Sequence, residues 1–118
     1  IGVKLMRLAS RGGVSRVGRW RSLAELSKMQ RTGHVQPGAG GITRVALPAD
    51  SAAYKAAPPG DVYVTFDVPT ETLKPAGNES WRLMAGSDSI YGRHAVAKGK
   101  PVPQLPEFKN LEVHQVKE

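Results

Sequence analysis

The stretch VGRWRSLAELSKMQRTG, residues 17–33, carries the strongest local signals in the sequence. Its first five residues, 17–21, have the character of a short strand. Ser22 and Glu25 follow in the pattern of a capping box, in which the serine hydroxyl accepts a hydrogen bond from the Glu25 amide and the glutamate side chain accepts one from the Ser22 amide. The pattern predicts a first strand followed by a helix over residues 23–31.

This helix has one apolar face and a clear end. Leu23, Leu26 and Met29 recur at helical spacing. Arg31 falls in the last turn, where a cation interacts favourably with the helix dipole. Gly33 is typical of the left-handed residue that ends a helix.

The rest of the chain is predominantly strand and loop. In residues 62–68, valine and phenylalanine alternate with tyrosine, threonine and aspartate, which is typical of a strand with one buried face. Short apolar runs separated by Pro and Gly predict the remaining elements: strands at 42–47, 81–85 and 111–116, and short helices at 51–57 and 90–98. We therefore expect the α+β class, with an N-terminal helix and a small, mostly antiparallel sheet.

The charge is concentrated in the first part of the chain. Residues 1–44 hold nine Lys or Arg and one acid, whereas residues 45–118 hold eight Lys or Arg and nine acids. Such a basic segment favours a polyanionic partner, most often nucleic acid. We expect residues 1–16 to form a basic tether and residues 17–118 to form one folded domain. Because the chain does not begin with Met, we also expect it to be a piece of a longer protein.

The amino-acid composition excludes several kinds of functional site. The chain has no cysteine, which excludes disulfides, thiol nucleophiles and cysteine zinc sites. Its three histidines lie far apart and its acids are scattered, so we expect neither a metal nor another cofactor. No apolar run is long enough for a membrane span, and we expect no stable membrane association.

The remaining candidates are polar residues that can act without a metal ion. Such residues suit cleavage of RNA by its own 2′-hydroxyl. That reaction needs a base, an acid, and cations or hydroxyls around the phosphate. The candidate catalytic residues are His34, Thr43, Ser89, Arg93 and His94, and the candidate nucleic-acid-binding residues are Arg19, Arg21 and Arg44. Each also has a structural interpretation: His34 as a cap of helix carbonyls, Thr43 as an ordinary strand residue, and Arg19 as a partner of Glu25.

The chain resembles the C-terminal toxin domains of bacterial polymorphic toxins, the cargo of contact-dependent growth inhibition (CdiA-type) and Rhs proteins. The resemblance rests on an ordered set of motifs over roughly residues 17–112: residues 18–33, Val35-Gln36, Gly41-Ile-Thr43, Tyr63-Val-Thr-Phe-Asp-Val-Pro69 and residues 86–93. Among these domains, the chain most resembles the CdiA-type tRNase domains. Arg19, Thr43, Ser89 and Arg93 are the positions that match the pattern.

The resemblance implies a metal-independent ribonuclease that cleaves tRNA, with residues 17–118 as the toxin nuclease domain. It implies secretion as the C-terminal part of a large cell-surface protein and action in the cytoplasm of a neighbouring bacterium. The implied partners are tRNA, a cognate immunity protein and elongation factor Tu.

Two other functions remain open. Some ADP-ribosyltransferase toxins also begin with an arginine on the first strand, then a helix ending in Thr/Ser-Gly, a strand Thr or Ser, and a catalytic glutamate. Arg19 and Thr43 fit this order, and Glu71 and Glu79 are the candidate glutamates, so a transferase acting on a translation factor or RNA is the alternative. A non-enzymatic binding module is the third hypothesis.

Overall fold

The computed structural model describes residues 13–54, 56–77 and 79–118. Along these residues the chain forms β1 (Val14–Arg21), α1 (Leu23–Thr32), β2 (Ile42–Ala46), β3 (Val62–Pro69), β4 (Lys74–Pro75), β5 (Trp81–Ala85), α2 (Ile90–Lys98) and β6 (Lys109–Val116). The strands form one sheet in the order β4-β5-β2-β1-β3-β6, and the neighbouring strands pair antiparallel. The predicted α+β class is confirmed.

The helix α1 forms where the capping pattern predicts it. Ser22 accepts a hydrogen bond from the Glu25 amide at 3.2 Å, and Gly33 ends the helix in the left-handed conformation, with a φ of 72°. Leu26 and Met29 are buried on its inner face, whereas Leu23 is 64% exposed. Two of the three residues predicted to form the apolar face therefore pack against the sheet.

The core lies between α1 and one face of the sheet. In β3, Val62, Val64, Phe66 and Val68 point to that face, as the alternation predicts, and they pack with Val17, Val45 and Met84 from the neighbouring strands. A smaller cluster of Trp20, Ala57 and Tyr63 lies apart from it. The strands β1 and β3 contribute side chains to both clusters.

The sheet opens between two of its central strands. β1 pairs with β3 over eight positions, from Val14↔Pro69 to Arg21↔Val62. With β2, in contrast, β1 pairs only at Gly18↔Ala46. Since β2 is held on its other side by β5 over all five residues, the strands diverge and leave a split beside Arg19.

The structure corrects several sequence predictions. The predicted first strand does precede the helix, so the helix is not the N-terminal element; this strand begins at Val14, and residues 14–16 of the predicted tether therefore belong to the sheet, where β3 pairs with them. Residues 1–12 of that tether lie outside the described residues. The predicted helix at 51–57 is only a 3₁₀ turn at Ser51–Ala53. Residues 74–75, for which the sequence predicts neither helix nor strand, form the short strand β4, which pairs with β5.

Candidate functional site

A cleft of about 570 Å³ lies at the split between β1 and β2. Its lining combines two arginines, three acids and four aromatic rings: Arg19 and Arg44; Glu25, Asp50 and Asp61; and Trp20, Tyr54, Tyr63 and Trp81. The volume falls within the range of small-ligand sites in proteins, and the mixture of flat apolar walls with a few charged groups is typical of them. This cleft is the candidate functional site.

Arg19 occupies the split itself. Its Nη1 donates a hydrogen bond to the backbone carbonyl of Arg44 on β2, at 2.6 Å, where a continuous ladder would place a backbone amide. Its Nε is buried and has no hydrogen-bond partner among the described residues. Burial lowers the pKa of Arg19, and the charge of Glu25 opposes that shift. The guanidinium stays cationic at neutral pH, and the side chain lines the cleft.

Arg21 lies behind the cleft, on the same face of β1. It is completely buried, and its Nη1 donates to Oε2 of Glu25 at 2.6 Å. Burial lowers its pKa to about 10, with the nearby charge of Arg19 adding to the effect and Glu25 opposing it. A side chain with no exposed surface does not reach a macromolecular partner, so the prediction of a nucleic-acid contact does not suit Arg21.

The Arg21 ion pair replaces half of the predicted capping box. The Glu25 carboxylate is bound by the Arg21 guanidinium, and this pairing holds the carboxylate where it lines the cleft. The sequence favoured a purely capping role for Glu25. Only the burial of Arg21 beside it reveals the second role, and no pattern in the sequence carries that information.

Two pairs of aromatic rings border the cleft. Tyr54 and Trp81 lie edge to face with ring centroids 6.4 Å apart, and Trp20 and Tyr63 do so at 5.3 Å. Gly18 makes room for the second pair, because a Cβ at this position would come within 1.9 Å of the Tyr63 hydroxyl oxygen. The rings give the cleft flat walls suited to a planar heterocycle.

Two residues with predicted catalytic hydroxyls, Thr43 and Ser89, do not line the cleft. Their hydroxyls form hydrogen bonds with backbone groups instead. Thr43 is buried and donates to the carbonyl oxygen of Gln36. Ser89 is also buried; its hydroxyl donates to the Gly86 carbonyl at 2.6 Å and caps α2 by accepting from the Gly92 amide. Both therefore have structural contacts that explain their presence.

The remaining predicted catalytic residues are on the surface. His34 is exposed, and its Nδ1 lies 3.0 Å from the carbonyl oxygen of Thr32, so it does cap the end of α1. Arg93 and His94 lie on the exposed side of α2. Neither histidine lines the cleft, and within the described residues no contact joins the two rings. Of the eight predicted site residues, the cleft brings together Arg19 and Arg44.

The candidate glutamates of the transferase hypothesis differ in position. Glu71 lies in the 3₁₀ turn Thr70–Thr72 that follows β3. Glu79 lies in the exposed turn that leads into β5, between Ala76 and Trp81, and both of these residues line the cleft. Neither glutamate itself lines the cleft, but Glu79 is the one whose turn is flanked by lining residues.

Neither metal ligands nor a membrane span is evident in the described part of the chain. There, no three His, Asp or Glu side chains lie close enough together to hold a metal ion. Neither of the two described helices is long and apolar enough to cross a membrane.

The fold and the cleft define a small α+β domain with a candidate ligand site whose walls carry arginines, carboxylates and aromatic rings. The sequence profile of the family described as "TreTu toxin, C-terminal domain" matches residues 14–112. The chain therefore belongs to this family and is the C-terminal domain of a toxin. The resemblance to polymorphic-toxin C-terminal domains is confirmed at this level, and such a domain is consistent with being part of a larger secreted toxin. No curated protein sequence matches the chain.

Proposed function

We propose that this toxin domain is an ADP-ribosyltransferase that takes NAD as its substrate and modifies a component of the bacterial translation machinery. One observation carries the proposal: the Arg19 guanidinium, on the first strand, lies in the sheet split and lines the cleft with its Nε unpaired. This is the arginine position that the transferase resemblance requires.

The lining of the cleft suits the parts of NAD. A pyrophosphate needs cationic donors, and arginine binds phosphate oxygens in a bidentate manner. Arg19 and Arg44 both line the cleft. The adenine and nicotinamide rings are planar, and the rings of Trp81 and Tyr54 line the cleft as surfaces for them. The order of the remaining features also agrees, since α1 ends in Thr32-Gly33 and Thr43 follows on β2.

The proposed reaction forms no covalent bond between the substrate and the toxin domain. The bond between C1′ of the nicotinamide ribose and the nicotinamide nitrogen breaks, and nicotinamide leaves with the electron pair. A nucleophile of the acceptor forms the new bond to C1′ and loses its proton to a carboxylate or to water. The transition state has oxocarbenium character, which a nearby carboxylate stabilises. We assign that role to Glu79, in the turn between the cleft-lining residues Ala76 and Trp81, and propose Glu25 as a supporting carboxylate within the cleft.

Metal-independent cleavage of tRNA is the second candidate. It is favoured by the convergence of two guanidinium groups, Arg19 and Arg44, on one cleft, since a scissile phosphate needs such cations. It ranks second because its acid and base, His34 and His94, do not line that cleft, whereas the transferase's Glu79 lies in the turn between two lining residues, Ala76 and Trp81, and a further carboxylate, Glu25, lines the cleft itself. For either activity, the proposed site of action is the cytoplasm of a target bacterium, with elongation factor Tu and a cognate immunity protein as proposed partners.

The two candidates separate in one experiment. The purified domain is incubated with NAD carrying a label in its adenylate half and with a bacterial lysate. Nicotinamide release, label transfer to protein and the integrity of tRNA are then measured together. We expect nicotinamide release and labelled protein with intact tRNA. Shortened tRNA in the absence of NAD, persisting in EDTA, would instead establish the ribonuclease.

Matched variants test the assigned residues. Arg19→Ala should lower nicotinamide release by about 10²-fold or more, because phosphate positioning and charge stabilisation are both lost. Arg31→Ala, at the exposed end of α1, should leave it unchanged. Glu79→Gln should likewise abolish transfer, whereas Glu71→Gln should not. Full activity in the Arg19 variant would remove the basis of the proposal.

A further inference from the structure

The helix α2 packs in an unusual orientation. A surface helix normally turns its large apolar side chains towards the core. In α2 the buried residues are Gly92 and Ala95, whereas Ile90 is 70% exposed and Val96 is 66% exposed. Gly92 lets the helix sit close to the preceding turn, because a Cβ there would lie 2.0 Å from the carbonyl oxygen of Ser87. The helix thus presents its large aliphatic side chains outwards.

The same surface is strongly basic. Arg93, Lys98 and Lys100 lie on α2 or directly after it, and residues 89–106 contain no Asp or Glu. All three cations are exposed. We call the exposed side of residues 90–100 the α2 surface.

The α2 surface adjoins the cleft. Its capping residue Ser89 packs against Gly41, where a Cβ would lie 2.7 Å from the Ser89 amide nitrogen. Gly41 also accepts a hydrogen bond from the Gly86 amide at 2.9 Å. The loop that contains Gly41 lines the cleft through Ala39 and Ile42. The N-terminal end of the α2 surface therefore lies beside the loop that borders the cleft.

We propose that the α2 surface docks an acidic protein surface with an apolar centre; the identification of that protein as the ADP-ribose acceptor rests on the proposed function. Aliphatic side chains among cations fit this chemistry, because the apolar groups become buried while the charges steer the encounter. RNA is a poorer fit, since bases stack on open aromatic rings, whereas the most exposed apolar side chains here, Ile90 and Val96, are aliphatic, and the Tyr91 ring, 40% exposed, has the Lys74 ammonium over it at 5.5 Å from its centroid. A second copy of this chain would bring like charges together.

Site-specific photocrosslinking tests the occupant. p-Benzoylphenylalanine replaces Val96 in the full chain, and Leu23, which is 64% exposed on α1, serves as the matched control position. After brief induction in a sensitive bacterium, irradiation should yield one protease-sensitive adduct with a protein of acidic isoelectric point at position 96 and none at position 23. A nuclease-sensitive adduct, an adduct with a second copy, or no specific adduct overturns the proposal.

A pair of double variants supplies the functional measurement. Val96→Asp with Lys98→Glu should raise the toxin level needed for growth inhibition by about tenfold, as expected for the loss of one binding hot spot. Leu23→Asp with Lys28→Glu should not change it. NAD cleavage without an acceptor should be equal in both variants and the wild type. Unaltered toxicity of the α2 variant refutes docking. A wild type that cleaves no NAD refutes the proposed function alone, and the crosslink and growth measurements still decide the docking.

Discussion

Arg21 is a fully buried charge with incomplete hydrogen bonding. Its Nη1 pairs with Glu25, but its Nε and Nη2 have no partner among the described residues. A buried guanidinium in this state costs free energy, which the lowered pKa of about 10 also reflects. We infer that the role of Arg21 is to position the Glu25 carboxylate at the cleft.

Two substitutions of Arg21 should have different effects on stability. Arg21→Met fills most of the same volume without a charge, so the free energy of unfolding should stay within about 1 kcal/mol of the wild type or rise. Arg21→Ala leaves a cavity and should lower it by about 2–4 kcal/mol. Urea unfolding measures both. A Met variant as unstable as the Ala variant would show that the charge itself stabilises the fold.

At the scale of the element, α1 depends on its two ends. The helix has ten residues and buries two of them, and a helix of this length is marginal without caps and packing. The Ser22 hydroxyl satisfies one orphan amide at the start. The amide of Gly33 donates to the carbonyl of Met29 at the end. Because Glu25 lies in the first turn, the stability of this end also bears on the cleft.

Removal of the Ser22 hydroxyl should weaken α1 measurably. Ser22→Ala should lower the free energy of unfolding by about 1 kcal/mol, because the Glu25 amide loses its acceptor. Ser27→Ala is the matched control; this serine is exposed within the same helix, and alanine there should be neutral or slightly stabilising. Thermal or urea unfolding compares the two. Equal losses would mean that helix propensity, not the cap, dominates.

At the scale of the whole molecule, Arg16 ties three strands together on the face opposite the core. From β1 it donates to Asp67 and Thr65 on β3, at 3.0 and 2.8 Å, and it also binds Glu112 on β6. The hydrogen bond from Asn110 lowers the pKa of Asp67, Arg16 lowers it further, and burial opposes both. A residue predicted to lie in a tether thus joins three neighbouring strands of the sheet that are distant in sequence.

This network should make stability depend on acid pH. The folded-state pKa of Asp67 lies below its ordinary value of 3.8, so its contribution is complete above about pH 4 and is lost as the pH falls through the folded value. Asp67→Asn should lower the free energy of unfolding by about 1 kcal/mol at pH 7 and should flatten its decline below pH 4. Asp88→Asn, at an exposed turn, is the control. An unchanged acid profile in the Asp67 variant would contradict this account.

The elements with strong local signals were predictable, and those that depend on pairing were not. The alternation in β3 and the caps of α1 involve residues within four positions of each other, so the sequence displays them directly. The first residues of β1, Ser15 and Arg16, carry no apolar alternation. They form a strand because Val68 and Asp67 of β3 pair with them. The short strand β4 likewise exists only through its pairing with β5.

The candidate site divides in the same way. The sequence alone determined the fold class, the basic character of the chain, and Arg19 and Arg44 as anion-binding candidates. Only the tertiary structure decided that these two line one cleft, that Arg21 is buried, and that Thr43 and Ser89 hold backbone segments. The reason is physical: the cleft exists because β1 stays paired with β3 while β2 stays paired with β5, and the two pairs diverge. That divergence depends on the registers of four strands distant in sequence, which no local pattern encodes.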